Sequence, residues 1–490
     1  MYRSRPKGNL DDEVLHFLSS MQNDTRLLAY DILGSQAHSI MLYEIGQLTG
    51  HDLGRILAAL ESARKDSSHL ETEGFEDIHE ALEAFVIKKA GMESGGKMHT
   101  ARSRNDQVAL DIRMNLRDDI NNICAAIADL VEGLIEKAED NLDATMPMYT
   151  HLQQGQIGTF SHFLLAYAYS LMRDLERLYL CYQRINQSPL GACAIGGTSI
   201  PIDRKRTAVL LGFDSVVVNS IDATSSRDTI LEYAANLSIM ASSLSRISED
   251  LIIWSTTEFG FVELSDRFCS TSSAMPQKKN PDPLELCRAK SAIVTSHVAG
   301  LLGIVKALPS GYSRDLQEMK PALFAATEIS LSMLKIINGV VRTLQVNKEK
   351  MRAAAGASYA IALDIAEQLV MEHKVPFRIA HRIVGSLVSK ASTKGITLGD
   401  LGSDEIALVL RTEKLKLDSK AVRSMLRMTP ERSIQLRKSY GSPNPSEQQQ
   451  MIKTLAQNVR NYKHGVQKRI RLVQGAYENL ANEVAKHMKS

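Results

Sequence analysis

An all-α fold is what this sequence predicts, with three helical domains and a long central five-helix bundle. Three observations lead there. Aromatic residues make up only 5% of the 490 residues, and Trp occurs once, at Trp254. The cores must therefore rest on Leu, Ile, Ala and Met, which suit packed helices better than sheets. The 13 prolines are unevenly spread: after Pro6 none occurs before Pro147. The next are Pro189 and Pro201, then Pro276, Pro281 and Pro283, then Pro309 and Pro321. Proline breaks helix interiors, so the long intervals between these points are free to be helical. Within those intervals apolar residues recur at three-and-four spacing.

Residues 1–106 form the first domain, of helices of mixed length. Apolar stripes then run through about 107–140, 156–187, 228–256, 284–307 and 321–347. In the third, Ile230, Ala234, Leu237, Ala241, Leu244 and Leu251 line one face. Five such helices make a bundle about 45 Å tall at a rise of about 1.5 Å per residue, occupying residues 107–355. The third domain, 356–490, has short helical stretches broken at Pro376, at Pro430 and at the turn cluster Gly441-Ser-Pro-Asn-Pro445. Ser215-Val-Val-Val-Asn219 is a short strand candidate, and the chain shows no internal repeat. At 490 residues it is too long for one core.

Fifty-eight basic against 56 acidic residues is too even a balance for a dedicated nucleic-acid or membrane-surface binder. The five cysteines, Cys124, Cys181, Cys193, Cys269 and Cys287, form no CxxC pair, which fits a reducing compartment. No run of about 18 apolar residues and no signal-like start is present, so a cytoplasmic location is expected.

Polar chemistry in such a bundle should gather where helices start, stop or break. Three polar blocks lie there. The first is Cys269-Ser-Thr-Ser-Ser-Ala-Met-Pro-Gln-Lys-Lys-Asn-Pro-Asp282. A plain solvated linker has no need of that order; a loop delivering a hydroxyl, a cation and an amide onto one substrate does. The second, His99-Thr-Ala-Arg-Ser-Arg-Asn-Asp-Gln107, heads the first long stripe and alone could be a capped, charged helix start. The third is Tyr149-Thr-His-Leu-Gln153, whose histidine beside an expected helix start would by itself be structural.

Together these blocks resemble the fumarase/aspartase superfamily. The first is similar to its loop Gly-Ser-Ser-x-Met-Pro-x-Lys-x-Asn-Pro, with Thr271 at the glycine position. The Pro-Gln-Lys-Lys-Asn-Pro-Asp form resembles the argininosuccinate lyase branch. The second resembles that branch's His-Thr-Gly-Arg-Ser-Arg-Asn-Asp-Gln, with Ala101 for glycine. The third matches Thr-His-Leu-Gln, continuing Gln154-Gly-Gln-Ile157 where the family has Arg-Ala-Gln-Pro. Smaller likenesses are Ser20 and Asp24 ahead of Arg26-Leu27 and of Asp31 to His38, Ser188-Pro-Leu-Gly191, Gly197 to Asp203, Asn219 to Asp222 before Arg227-Asp228, and Tyr312-Ser-Arg-Asp-Leu-Gln317 with Lys320. The likeness runs from about residue 17 to 385. In place of an N-terminal Trp-Gly-Gly-Arg-Phe block stands Met1-Tyr-Arg-Ser-Arg-Pro.

The resemblance implies elimination of arginine from argininosuccinate to leave fumarate, as in arginine biosynthesis. It makes Ser272 the proton-abstracting serine, His151 a catalytic imidazole, Glu285 its carboxylate partner, and Lys278 a cation for the intermediate. Ser20, Asp24, Arg104, Asn105, Thr150, Arg227, Asn280, Tyr312, Gln317 and Lys320 become substrate-binding residues. A guanidinium fork suits a dicarboxylate. The carbanion shares its charge with a carboxylate that is already negative, so fixed cations and donors are needed around it. A neutral serine must be activated by its neighbours, and an imidazole can work near neutral pH as an acid. No cofactor and no metal is expected, and neither is nucleic acid or a membrane as partner. The family's homotetramer, with each site assembled from different subunits, is implied too.

Two alternatives remain. One is a sister enzyme acting on adenylosuccinate, aspartate or malate, against which the His99–Gln107 and Gln277–Asp282 blocks speak. The other is a structural protein of the lens-crystallin type on the same fold. Two decoys are set aside. Gly91-Met-Glu-Ser-Gly-Gly-Lys97 resembles a phosphate loop, but Met98 stands where Ser or Thr is required. His79 and His99 lie near acidic residues without a metal-ligand spacing.

Overall fold

The computed structural model describes residues 11–488, so the segment Met1–Pro6 lies outside the described residues. Five long helices form the centre: α1 (Arg104–Glu139), α2 (Phe160–Ile185), α3 (Asp228–Trp254), α4 (Asp282–Val305) and α5 (Met319–Thr343). Each begins within about four residues of its apolar stripe, and local chemistry sets the start. Ser103 accepts from the Asn105 N–H while the Asp106 carboxylate takes the Ser103 N–H, a reciprocal cap for α1. Pro283 sits in the first turn of α4, where its missing N–H is not needed.

The helices run up and down. Arg184 near the end of α2 pairs with Glu232 near the start of α3. Arg288 near the start of α4 pairs with Glu249 near the end of α3. Arg342 and Glu136 join the last turns of α5 and α1. The bundle therefore has two distinct ends. The near end holds the starts of α1, α3 and α5; the far end holds the start of α4 and the close of α1, α3 and α5. Leu116, Ile123, Leu134, Leu171, Leu178, Leu237, Leu244 and Leu323 fill the seam between the ends. The stretch Arg314–Thr343 is long and apolar enough to cross a membrane by length and composition. Leu323, Met333, Leu334, Ile337 and Val341 spend its apolar face on the bundle core instead. At the far end Trp254 stacks on Phe261 at 5.3 Å and meets Tyr149 at 5.2 Å.

Two smaller cores flank the bundle. Helices Leu28–Glu44, Gly50–Lys65 and Ile78–Ala90 enclose Ile40, Leu53, Leu57, Leu82 and Val86 at the near end. Helices Ala362–His373, Phe377–Lys394 and Ser403–Thr412 enclose Ile365, Leu369, Ile383, Leu387 and Ile406, together with Ile157, at the far end.

Two features differ from the sequence reading. The last helix, α6 (Pro445–His487), has 43 residues rather than being one of several short stretches. Ile452, Val459, Val466, Val473 and Leu480 are buried along it at seven-residue intervals, a heptad seam. Ile452 to Val466 enter the bundle core, whereas Leu480 and Val484 enter the near-end core. This helix thus ties the ends together. Second, the Tyr149–Gln153 block does not adjoin a helix start. It forms an antiparallel hairpin of β1 (Thr145–Thr150) and β2 (Gln153–Thr159), and α2 begins only at Phe160. Met146 and Ile157 bury the base of the hairpin while 150–156 stand in solvent. The strand candidate at Ser215 is found as Ser215–Val216, paired in parallel with Gln187–Ser188.

Candidate active site

The near end gathers most of the expected binding residues. Ser20 and Asp24 sit at the entry to the first helices, and both are buried. Lys320, in the first turn of α5, is 3% exposed, pairs with Asp24 and donates to Ser20 Oγ at 3.3 Å. A buried cation of this kind persists only because it is paired and hydrogen-bonded. Gln317 Nε2 donates to the Leu18 carbonyl at 3.0 Å, drawing the segment before α5 onto the N-terminal helices. Arg104 Nε meets Asp77 at 3.2 Å, and Asn105 Nδ2 donates to the Ala194 carbonyl at 2.9 Å.

Arg227 is fully enclosed. Its Nη1 donates to the carbonyls of Thr224 and Ser226, but Nε and Nη2 have no hydrogen-bond partner among the described residues. Burial lowers this guanidinium to about 10, a loss that the nearby Tyr312 partly offsets. Tyr312 is itself pushed up by burial, against the pull of Arg227 and Arg314. Unsatisfied buried donors beside a tyrosine and a further arginine, Arg314, make a ready anion pocket.

Sequence reasoning missed Asp77. Its signal was local: it caps Ile78–Ala90 by accepting from the Glu80 N–H at 2.7 Å. Burial raises this carboxyl, but His79, Arg104 and Lys320 outweigh that and hold it below its ordinary range.

The Ser272 loop lies at the far end. Ser270–Thr271 pairs antiparallel with Lys279–Asn280, closing a small hairpin whose loop spans 272–278. Thr271 opposes Lys279 in extended conformation, a position a β-branched residue fills well. Ser270 Oγ donates to the Asp282 carboxylate across the base of the hairpin. At the loop's start the Ser272 Oγ accepts two backbone N–H bonds, from Ala274 at 3.2 Å and Met275 at 3.0 Å. Amides aimed at a hydroxyl oxygen favour its ionised form. Lys278 is exposed, and Asn280 Nδ2 points back to Ser270 Oγ at 3.5 Å.

His151 and Leu152 form the two-residue tip of the first hairpin, with φ of 55° and 56°. That left-handed pair makes a tight hairpin turn, normally the place of Asn-Gly. Holding two bulky side chains there costs on the order of 1–2 kcal/mol per residue, and strain of this kind concentrates at functional sites. Leu152 is 73% exposed, and Thr150 and His151 are exposed as well.

One chain does not bring these pieces together. Arg104 opens α1 and the hairpin follows its close, so the two are separated by a 36-residue helix about 54 Å long. The Ser272 loop and Tyr312 flank opposite ends of α4, 24 residues and about 36 Å long. Among the described residues no hydrogen bond or ion pair links His151 to Ser272, Lys278 or Glu285. Glu285 is exposed on the first turn of α4.

The two decoys resolve differently. Lys97 pairs with Asp52 at 2.7 Å, and Ser94 donates to the same carboxylate, so the glycine-rich segment serves an internal ion pair. His79 meets Asp31 at 3.0 Å and Asp111 at 3.4 Å, all three buried, with donor atoms within 4.8 Å of one another. That is a metal-like trio the spacing did not reveal. Burial opposes ionisation of Asp31, but His79, Arg102 and Gln107 hold it at about 2. Burial and the Asp31 charge push Asp111 well up. The positive field of Arg102 and Arg104 reaches Asp111 too and would oppose an added cation.

Comparison with known proteins adds to this geometry. A lyase family model matches residues 7–296, and an argininosuccinate lyase C-terminal model matches residues 359–435. The chain is 48% identical over 485 residues to an argininosuccinate lyase of Nitrosopumilus maritimus, covering 99% of each. It is 42% identical over 463 residues to that of Methanothermobacter thermautotrophicus, covering 94% of this chain and 97% of the relative. Among solved structures, an EDDS lyase variant with bound fumarate superposes with a TM-score of 0.85 at 32% identity, over 99% of this chain and 97% of that one.

Proposed function

The chain belongs to the argininosuccinate lyase family, and from that premise we propose that it cleaves the C–N bond of argininosuccinate by reversible elimination, giving arginine and fumarate in arginine biosynthesis. The observation that carries the chemistry is the Ser272 Oγ held by two loop amides, with Lys278 and Asn280 on the same loop. Ser272 takes the proton from the carbon beside the carboxylate. The amides and Lys278 favour its alkoxide and, once the proton has moved, the dianionic carboxylate intermediate. His151, with Glu285 as its partner, serves the protonation of the departing guanidinium nitrogen. The near-end group of Ser20, Asp24, Arg104, Asn105, Arg227, Tyr312, Gln317 and Lys320 binds the substrate, and Thr150 and Asn280 complete its contacts. The chemistry calls for no metal and no redox cofactor.

Assembly follows from the spacing of these pieces. Since the near-end residues and the His151 tip lie about 50 Å apart in one chain, a site containing both needs antiparallel subunits. Helix α4 is suited to such packing: Leu286, Ile293 and Leu302 are 57%, 44% and 51% exposed on it. Apolar side chains repeated along one helix mark a contact face. A homotetramer with sites shared between subunits, working in the cytoplasm, is the arrangement we infer.

The test is direct. The purified protein is incubated with argininosuccinate while fumarate absorbance is followed, with adenylosuccinate, aspartate, malate and EDDS in parallel. Turnover of argininosuccinate above the others is expected. Preference for another substrate would make it a sister lyase, and no turnover of any would favour a structural role.

A further inference from the structure

We propose that Gln107 and Asp31 are positioning residues for the reaction: they lock the Arg104 guanidinium in the orientation in which it meets the substrate carboxylate. This inference rests on the proposed substrate-binding role of Arg104. Gln107 is 3% exposed, one helical turn beyond Arg104 on α1. Its Nε2 donates to Asp31 Oδ1 at 2.5 Å, and its Oε1 accepts from Arg104 Nη1 at 2.9 Å. An amide side chain can be turned end for end, and only its partners decide which way it points.

Here the decision is made by Asp31. An ionised carboxylate has no proton to donate, so it can accept only the NH2 end of Gln107. The carbonyl end is thereby forced toward Arg104, which can only donate. Turning the amide over would set two oxygens against each other at the buried Asp31 end and two N–H groups at the Arg104 end.

Asp31 is held ionised and fixed from several sides. Ser35 Oγ donates to Oδ1 at 3.3 Å, and His79 Nδ1 lies 3.0 Å from Oδ2. Arg102 Nη1 donates to Ser35 Oγ at 2.9 Å, tying its guanidinium into the same network. Asp111 lies against the same Nδ1 of His79, at 3.4 Å. Asp77 takes the Nε of Arg104 at 3.2 Å. The guanidinium is therefore gripped on two edges, by Asp77 and by Gln107, and the second grip is set by a buried charge that itself touches no substrate.

A double-mutant cycle on the full-length enzyme tests this. Gln107→Met keeps the bulk and removes both hydrogen bonds. It should raise KM for argininosuccinate about tenfold, the loss expected for one bond to a charged group, while kcat changes less than about threefold. In an Arg104→Ala background the same substitution should add nothing to KM, because its target is gone. Asp31→Asn, which lets the amide point either way, should give a smaller KM effect that also vanishes without Arg104, and it serves as the test should Gln107→Met fail to fold. If Arg104→Ala raises KM while Gln107→Met and Asp31→Asn leave it unchanged, the positioning role is wrong and the binding role of Arg104 stands. An equal KM effect in both backgrounds would mean that Gln107 acts by another route. If Arg104→Ala itself leaves KM unchanged, the binding role and this inference fall together.

Discussion

Ser272 owes its place to the residues on either side of it. The Ser270–Asp282 bond and the Thr271–Lys279 pairing close the hairpin, and the turn that follows aims the amides of Ala274 and Met275 at the Oγ. Ser272→Ala should leave the unfolding midpoint unchanged and lower kcat by about 10²–10⁴-fold, the usual worth of an acid–base group. Near-normal turnover at saturating substrate would sink the assignment. A second residue-scale expectation concerns His38. It is fully buried, its Nε2 contacts the Thr100 carbonyl at 2.8 Å, and burial together with Arg102 lowers it from 6.5 to about 3. A carbonyl only accepts, so Nε2 carries the proton and the ring is neutral. Below pH 6.5 the unfolded chain takes up a proton on this ring that the folded chain refuses until about pH 3. Stability from this group is therefore complete above pH 6.5 and declines as pH falls toward 3, by at most about 1.4 kcal/mol per pH unit. His38→Gln should flatten the slope of unfolding free energy against pH between 6.5 and 4.5; identical slopes would refute the reading. The glycine departures are explained at this scale as well. Ala101 takes a φ of 58°, left-handed space in which the family's glycine is at ease, whereas Thr271 lies in a strand where glycine's freedom is not used.

At the scale of elements, periodicity was a good guide wherever a helix buries one face and a poor one elsewhere. All five bundle helices were legible because proline-free intervals coincided with apolar stripes. The hairpin at 145–159 was not, since β1 is buried for three residues, half-buried for two and exposed at Thr150, giving no alternation to read. The heptad of α6 was present in the sequence as Ile452, Val459, Val466, Val473 and Leu480, but 43 residues of mostly polar surface masked so narrow a seam. That seam can be tested where α6 reaches the near-end core. Leu480 is 1% exposed, and its neighbour Asn479 faces solvent. Leu480→Ala should cost about 2–5 kcal/mol in denaturant unfolding, against less than about 0.5 kcal/mol for Asn479→Ala. Equal costs would mean that the end of α6 is not docked.

Across the whole molecule, the residue types of the candidate site could be proposed from the sequence while their separation could not. Chain order says nothing about which end of a bundle a block occupies, and the distance between blocks emerges only once α1 and α4 are laid out as rods. Arg104 and His151 flank a helix about 54 Å long, so a site using both must take them from different chains. Arg104→Ala subunits, with a raised KM, and His151→Asn subunits, with a lowered kcat, can be mixed, denatured and renatured together. The mixture is then assayed at substrate well below the raised KM, where each parent turns over slowly. If each site draws one residue from each of two subunits, random assembly leaves about a quarter of the sites with neither lesion in a symmetric oligomer. Two lesions within one chain's own site could never separate in this way, because every site would carry one or the other. Turnover well above both parents, appearing only after subunit exchange, is the expected result. Mixed oligomers shown to form by mass, yet with no recovered turnover, would mean that no working site combines Arg104 of one chain with His151 of another. The antiparallel assembly inferred from the length of α1 would then have to be abandoned.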